Sequence, residues 1–183
     1  PLRAIAIDSS EMISQVLFGE TFEIIEQDKE WSKIRLTFDT YEGFIDNKQF
    51  TEITKELFLK LSSEKHYYSG EIIDFITNIK NELTTIPLGA SLPFYENSKL
   101  RINTNSYRYD GAVLSEIKVK SDIANTAFLY LNTPFLWGGK TPFGIDAAGF
   151  TQMVYKLCGH SLLRDAKEQA TQGEVLSFIE ESE

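Results

Sequence analysis

The sequence predicts an α+β protein, with β-rich segments first and a helical segment last. Three observations carry that reading. Phe22 and Ile24 flank Glu23, and Ile34, Leu36 and Phe38 alternate with Lys33, Arg35 and Thr37. That period of two marks half-buried strands. From Ser121 onward the apolar period lengthens to that of a helix. Between two helical stretches lies a glycine-rich loop, Trp137-Gly138-Gly139-Lys140-Thr141-Pro142-Phe143-Gly144.

Residues 1–53 read as a small barrel, with turns at Gly19, Gln27-Asp28-Lys29 and Asp39-Thr40 between short strands. Thr54 is placed to cap a short helix carrying Leu57, Phe58 and Leu61. Ile72, Ile73, Ile76 and Ile79 fall at helical spacing, so a second helix is expected over 71–80. Strand signals return at Ile86–Leu88, after the Gly89-Ala90-Ser91 turn at Leu92–Tyr95, and at Tyr107–Val113. Residues 54–120 therefore read as a helical connector and a second, reduced barrel. Ser121 then caps a helix whose stripe is Ile123, Ala124, Ala127, Phe128 and Leu131, closed by Asn132-Thr133-Pro134. Asp146 caps the next, with Phe150, Met153, Val154 and Leu157 on its apolar face and Gly159 at its end.

Composition excludes several functions. The chain has 183 residues and a formal charge of −9, which opposes nucleic-acid phosphates and anionic membrane surfaces. No apolar run is long enough to span a bilayer. One cysteine, Cys158, rules out an intrachain disulfide and a multi-cysteine zinc site. Two histidines, His66 and His160, are too few and too far apart in sequence for a convincing metal site, and no cofactor is expected. Cys158 and His160 stand two apart and do not face each other on a helix, so they are expected to be structural. No signal peptide is visible, but the chain begins at Pro1 rather than Met. The cytoplasm is the expected compartment, with the periplasm or cell envelope as the alternative.

The first segment, with Trp31 on one strand and Gly43-Phe44-Ile45 on another, resembles a bacterial SH3 module. The stretch Pro134-Phe135-Leu136-Trp137-Gly138-Gly139, then Asp146-Ala147-Ala148-Gly149-Phe150, resembles the NlpC-type, papain-like cysteine peptidases. Leu163-Arg164-Asp165-Ala166, Gln169 and Gly173 resemble that family's segment after the same helix. The resemblance implies one or two SH3-like barrels ahead of the helical half of a papain-like domain over residues 121–183. It also implies hydrolysis of a γ-D-glutamyl–diamino-acid bond in peptidoglycan stem peptides with a free N-terminal L-Ala. In the family a cysteine opens the helix, where the unpaired N–H groups and the positive end of the dipole favour thiolate.

Here Ala147 stands at the nucleophile position, Ala148 where serine is usual, and Phe135 where tyrosine is usual. The family's catalytic histidine is expected beyond Glu183, so the chain is expected to be inactive as written, and a non-catalytic binding module is the alternative. Asp146, Ala148, Phe135, Trp137, Gly138, Arg164 and Asp165 are the expected substrate-binding residues. Arg164 and Asp165 are expected to meet each other or the substrate's carboxylates. With no covering sheet encoded behind it, the apolar face at residues 150–157 is expected to be loose, or covered by self-association or a complementary chain.

Overall fold

The computed structural model describes residues 1–115 and 121–174, with Ser121 described by its backbone alone. The first unit is an antiparallel sheet of β1 (Leu2–Arg3), β2 (Met12–Ser14), β3 (Phe22–Gln27), β4 (Trp31–Leu36) and β5 (Glu42–Asp46), in the order β2-β1-β5-β4-β3. Its alternating strands place Ile34, Leu36 and Ile45 in a core with Leu2. Thr54 caps α1 (Lys55–Ser63), its hydroxyl accepting the Leu57 N–H, as the sequence indicates.

The second unit begins with β6 (Tyr68–Ser69), β7 (Ile73–Asn78) and β8 (Leu83–Pro87). It continues with β9 (Lys99–Ile102), β10 (Asn105–Arg108) and β11 (Val113–Leu114). Four of these form a sheet in the order β8-β7-β10-β9, and β6 pairs with β11. The helix expected over 71–80 is therefore β7. Ile76 is fully buried, while Ile72, Ile73 and Ile79 are exposed. Two features outweigh the apparent helical spacing. β-Branched residues suit a pleated surface, and Asn78 builds a tight turn by accepting from the N–H groups of Lys80 and Glu82. Leu92–Tyr95 is also not a strand. Phe94 takes a left-handed conformation (φ 50°), and Leu92 drops into the second core.

The last unit holds α2 (Ser121–Phe128), a short hairpin of β12 (Lys140–Thr141) and β13 (Gly144–Ile145), α3 (Ala147–Leu157) and α4 (Ala166–Gln169). α2 stops a turn earlier than its stripe predicts. Ile123, Ala127 and Tyr130 face inward, whereas Phe128 and Leu131 are exposed. The N-cap expected at Ser121 lies outside the described side chains.

The apolar face of α3 is not loose. Met153, Val154 and Leu157 are buried in a core with Leu17 from the first unit, Leu88 from the second, Tyr130 and Ile145. Each such side chain contributes about 1.5–3 kcal/mol when fully buried. The expectation of an uncovered face overlooked Leu17 and Leu88, which lie just outside strands and carry no periodic signal. Beside this core, Glu20 accepts from Lys156 Nζ at 2.6 Å and lies 3.7 Å from Lys140 Nζ. Lys156 also donates to the Gly89 carbonyl. Residues from all three units thus meet in one core and one ionic cluster.

Candidate active site

The site forms where the glycine-rich loop meets the start of α3. Asp146 is the N-cap: Oδ1 accepts the Gly149 N–H at 2.6 Å and Oδ2 the Gly138 N–H at 2.9 Å. Arg164 adds a two-pronged contact, Nη1 to Oδ1 at 3.1 Å and Nη2 to Oδ2 at 2.6 Å. Burial alone would raise the Asp146 pKa, but the Arg164 guanidinium and the two backbone donors hold it below its ordinary value. Two glycines are sterically required. A Cβ on Gly149 would lie 2.3 Å from the Gly139 carbonyl oxygen. Gly138 has φ +74°, and a Cβ there would lie 2.3 Å from the Met12 carbonyl oxygen of the first unit.

Ala147 is the first residue of α3 and is exposed. Ala148 comes next, half-buried, its carbonyl accepting from Gln169 Nε2 at 2.9 Å. Phe135 and Trp137 project from the loop, 73% and 61% exposed, and form an apolar rim. Asp165 is exposed and receives the Tyr41 hydroxyl at 3.3 Å. Burial, and then the Asp165 charge, push the Tyr41 pKa up to about 12.

Two expectations about charged residues change. Arg164 does not pair with Asp165 but with Asp146, and it is shut off from solvent. It is 1% exposed, and its Nε donates to Ser14 Oγ at 3.0 Å. Asp146 accepts from four donors, so its carboxylate serves the helix cap and Arg164.

The first unit contributes three residues that the motifs did not reveal. Ser14 holds Arg164, Tyr41 meets Asp165, and Glu11 accepts the Trp137 indole N–H at 2.6 Å. Tyr41 and Ser14 lie on or beside ordinary alternating strands, so nothing local sets them apart. His66 and His160 line a pocket of about 210 Å³ with Tyr68 and Lys156, at the carboxyl end of α3. An 11-residue helix is about 16 Å long, so neither imidazole sits beside position 147. Cys158 is buried and donates to Thr126. Among the described residues no three His, Cys, Asp or Glu side chains converge to hold a metal ion.

Comparison with known proteins agrees with this layout. Residues 2–50 match the bacterial dipeptidyl-peptidase SH3 domain, and residues 132–182 match the NlpC/P60 family. The γ-D-glutamyl-L-lysine dipeptidyl-peptidase of Bacillus subtilis is 29% identical over 87% of this chain. The protein of the same name from Bacillus cereus is 25% identical over 91%. Dipeptidyl-peptidase 6 of Lysinibacillus sphaericus is 25% identical over 86%. The chain spans 58%, 56% and 66% of the lengths of these relatives, respectively. A crystal structure of an NlpC/P60 protein from Bacillus cereus shares the fold with a TM-score of 0.75 at 21% identity, over 90% of this chain and 61% of that one. Residues 2–50 therefore form a bacterial SH3 domain and residues 132–182 carry an NlpC/P60 domain match, in a chain homologous to the γ-D-glutamyl-L-lysine dipeptidyl-peptidases.

Proposed function

We propose that the surface at the amino end of α3 receives peptidoglycan stem peptides across the γ-D-glutamyl–diamino-acid bond, and that Ala147 leaves the chain able to hold this bond but not to cut it. The observation that carries the reading is the exposed first residue of α3, framed by Gly138, Trp137 and the Asp146 cap, which is an alanine. A thiol at this place would be ionised by the helix amino end and would attack the peptide carbonyl to give a thioester. A methyl group has no lone pair to attack with. The names of the relatives support the substrate class.

Asp165, exposed beside the Tyr41 hydroxyl, is the carboxylate we assign to a free amine, since Asp146 already serves the helix cap and Arg164. This arrangement suits a peptide whose N-terminal L-Ala is unblocked. Such peptides arise when cell wall is recycled, and the setting we assign is the cytoplasm. Calorimetric titration with L-Ala-γ-D-Glu-L-Lys and with its N-acetylated form tests the reading. Saturable binding of the free peptide, at least tenfold tighter than the blocked one, is expected. Equal affinity would show that the amine is not recognised, and no binding of either would overturn the reading.

A further inference from the structure

The contacts of Arg164 point to a role beyond bracing the fold. Position 147 comes directly after Asp146, and an uncompensated carboxylate there would oppose any negative charge on the neighbouring side chain. Arg164 sits on this carboxylate with both terminal nitrogens, at 3.1 and 2.6 Å. Its third contact, Nε to Ser14 Oγ at 3.0 Å, reaches a fully buried serine on β2 of the SH3 barrel. The guanidinium is therefore held from the barrel side and aimed at the cap. We propose that Arg164 is a positioning residue, anchored by Ser14, that fixes and neutralises Asp146 so that the amino end of α3 sets the field at position 147. Building on the peptidase reading of the site, the proposal makes the SH3 barrel part of the electrostatics of the nucleophile position. The other charges near this end of α3, Glu11 on Trp137, Asp165 on Tyr41 and Glu168 near Tyr41, and Lys167 on α4, stay unchanged in the test variants.

The test uses the full chain carrying Ala147→Cys, with the parent chain as a blank for the buried Cys158. The rate of iodoacetamide alkylation is measured from pH 5 to 10. The introduced thiol is expected to ionise at least one pH unit below an ordinary cysteine, near 8.5. Adding Arg164→Gln is expected to raise the midpoint by about one unit or more, a tenfold loss of thiolate on the acid side. Arg164→Lys keeps the charge but not the fork, and is expected to recover part of that shift. Ser14→Ala is expected to move the midpoint in the same direction by a smaller amount. An unchanged midpoint in folded Arg164→Gln, judged by circular dichroism, overturns the proposal. If that variant does not fold, unchanged midpoints in both Arg164→Lys and Ser14→Ala overturn it equally. Peptide binding is scored separately: binding with an insensitive midpoint sinks this inference alone, and a sensitive midpoint without binding sinks the substrate reading alone.

Discussion

Replacing Glu20 with alanine probes how the three units are held together. The carboxylate is 5% exposed, accepts from Lys156 Nζ at 2.6 Å and from the Leu17 N–H at 2.8 Å, and lies 3.7 Å from Lys140 Nζ. Truncation leaves two buried ammonium groups without that partner. Lys156 keeps the Gly89 carbonyl and the rings of Phe38 and Tyr68, while Lys140 Nζ has no hydrogen-bond partner among the described residues. Breaking a buried pair from one side costs about 3–5 kcal/mol. In a chain of this size each kcal/mol lowers Tm by about 2–4 °C, so a fall of roughly 6–20 °C is expected by scanning calorimetry. Joint replacement, Glu20→Leu with Lys156→Met, is expected to restore much of the loss because no charge is stranded. The pH dependence arises from the same contacts. Burial works to raise the Glu20 pKa, but Lys140 and Lys156 overcome it and hold it at about 2 against an ordinary 4.5. A depressed carboxylate stabilises fully above its unfolded pKa and loses that contribution as pH falls through the folded one. The gap between parent and Glu20→Gln should thus be constant above about pH 5, shrink below 4.5 and close near 2. A loss under about 1 kcal/mol for Glu20→Ala, or a gap that does not change with acid, would refute the reasoning.

Met153→Ala, in the core shared with Leu17 and Leu88, is expected to cost about 2–5 kcal/mol in urea unfolding. Gly138→Ala combines a positive φ with a Cβ 2.3 Å from the Met12 carbonyl oxygen, and it should lower stability by about 1–3 kcal/mol while weakening peptide binding. Ala147→Cys should give an alkylatable thiol but no peptide turnover from these 183 residues alone, because His66 and His160 lie at the other end of α3. Turnover abolished by replacing His160 would show that this placement is wrong.

Much of the barrel and of α3 was legible because both rest on local rules. Alternation marks β4, and Asp146 with Gly159 marks the ends of α3. The second sheet was harder to read, because four isoleucines near helical spacing masked a hairpin whose signal was the Asn78–Asn81 turn. The seam between the units was not legible at all. Ser14 to Arg164, Tyr41 to Asp165 and Glu11 to Trp137 each join residues more than 120 positions apart, and single-sequence periodicity does not encode such pairs. The adjacency of Arg164 and Asp165 in sequence pointed to a pair that the fold splits, because each side chain finds a better-placed partner across the seam.

The central claim is that the amino end of α3 binds the stem peptide while Ala147 leaves its bond intact. Amide chemical-shift mapping of the chain with L-Ala-γ-D-Glu-L-Lys, with the peptide followed by mass spectrometry in the same tube, tests both parts together. Saturable shifts centred on Gly138 to Gly149 and on Tyr41, with the peptide uncleaved, are the expected result. Loss of a covalent nucleophile removes several orders of magnitude of rate, so cleavage above buffer background would contradict it. So would shifts confined to residues outside that surface.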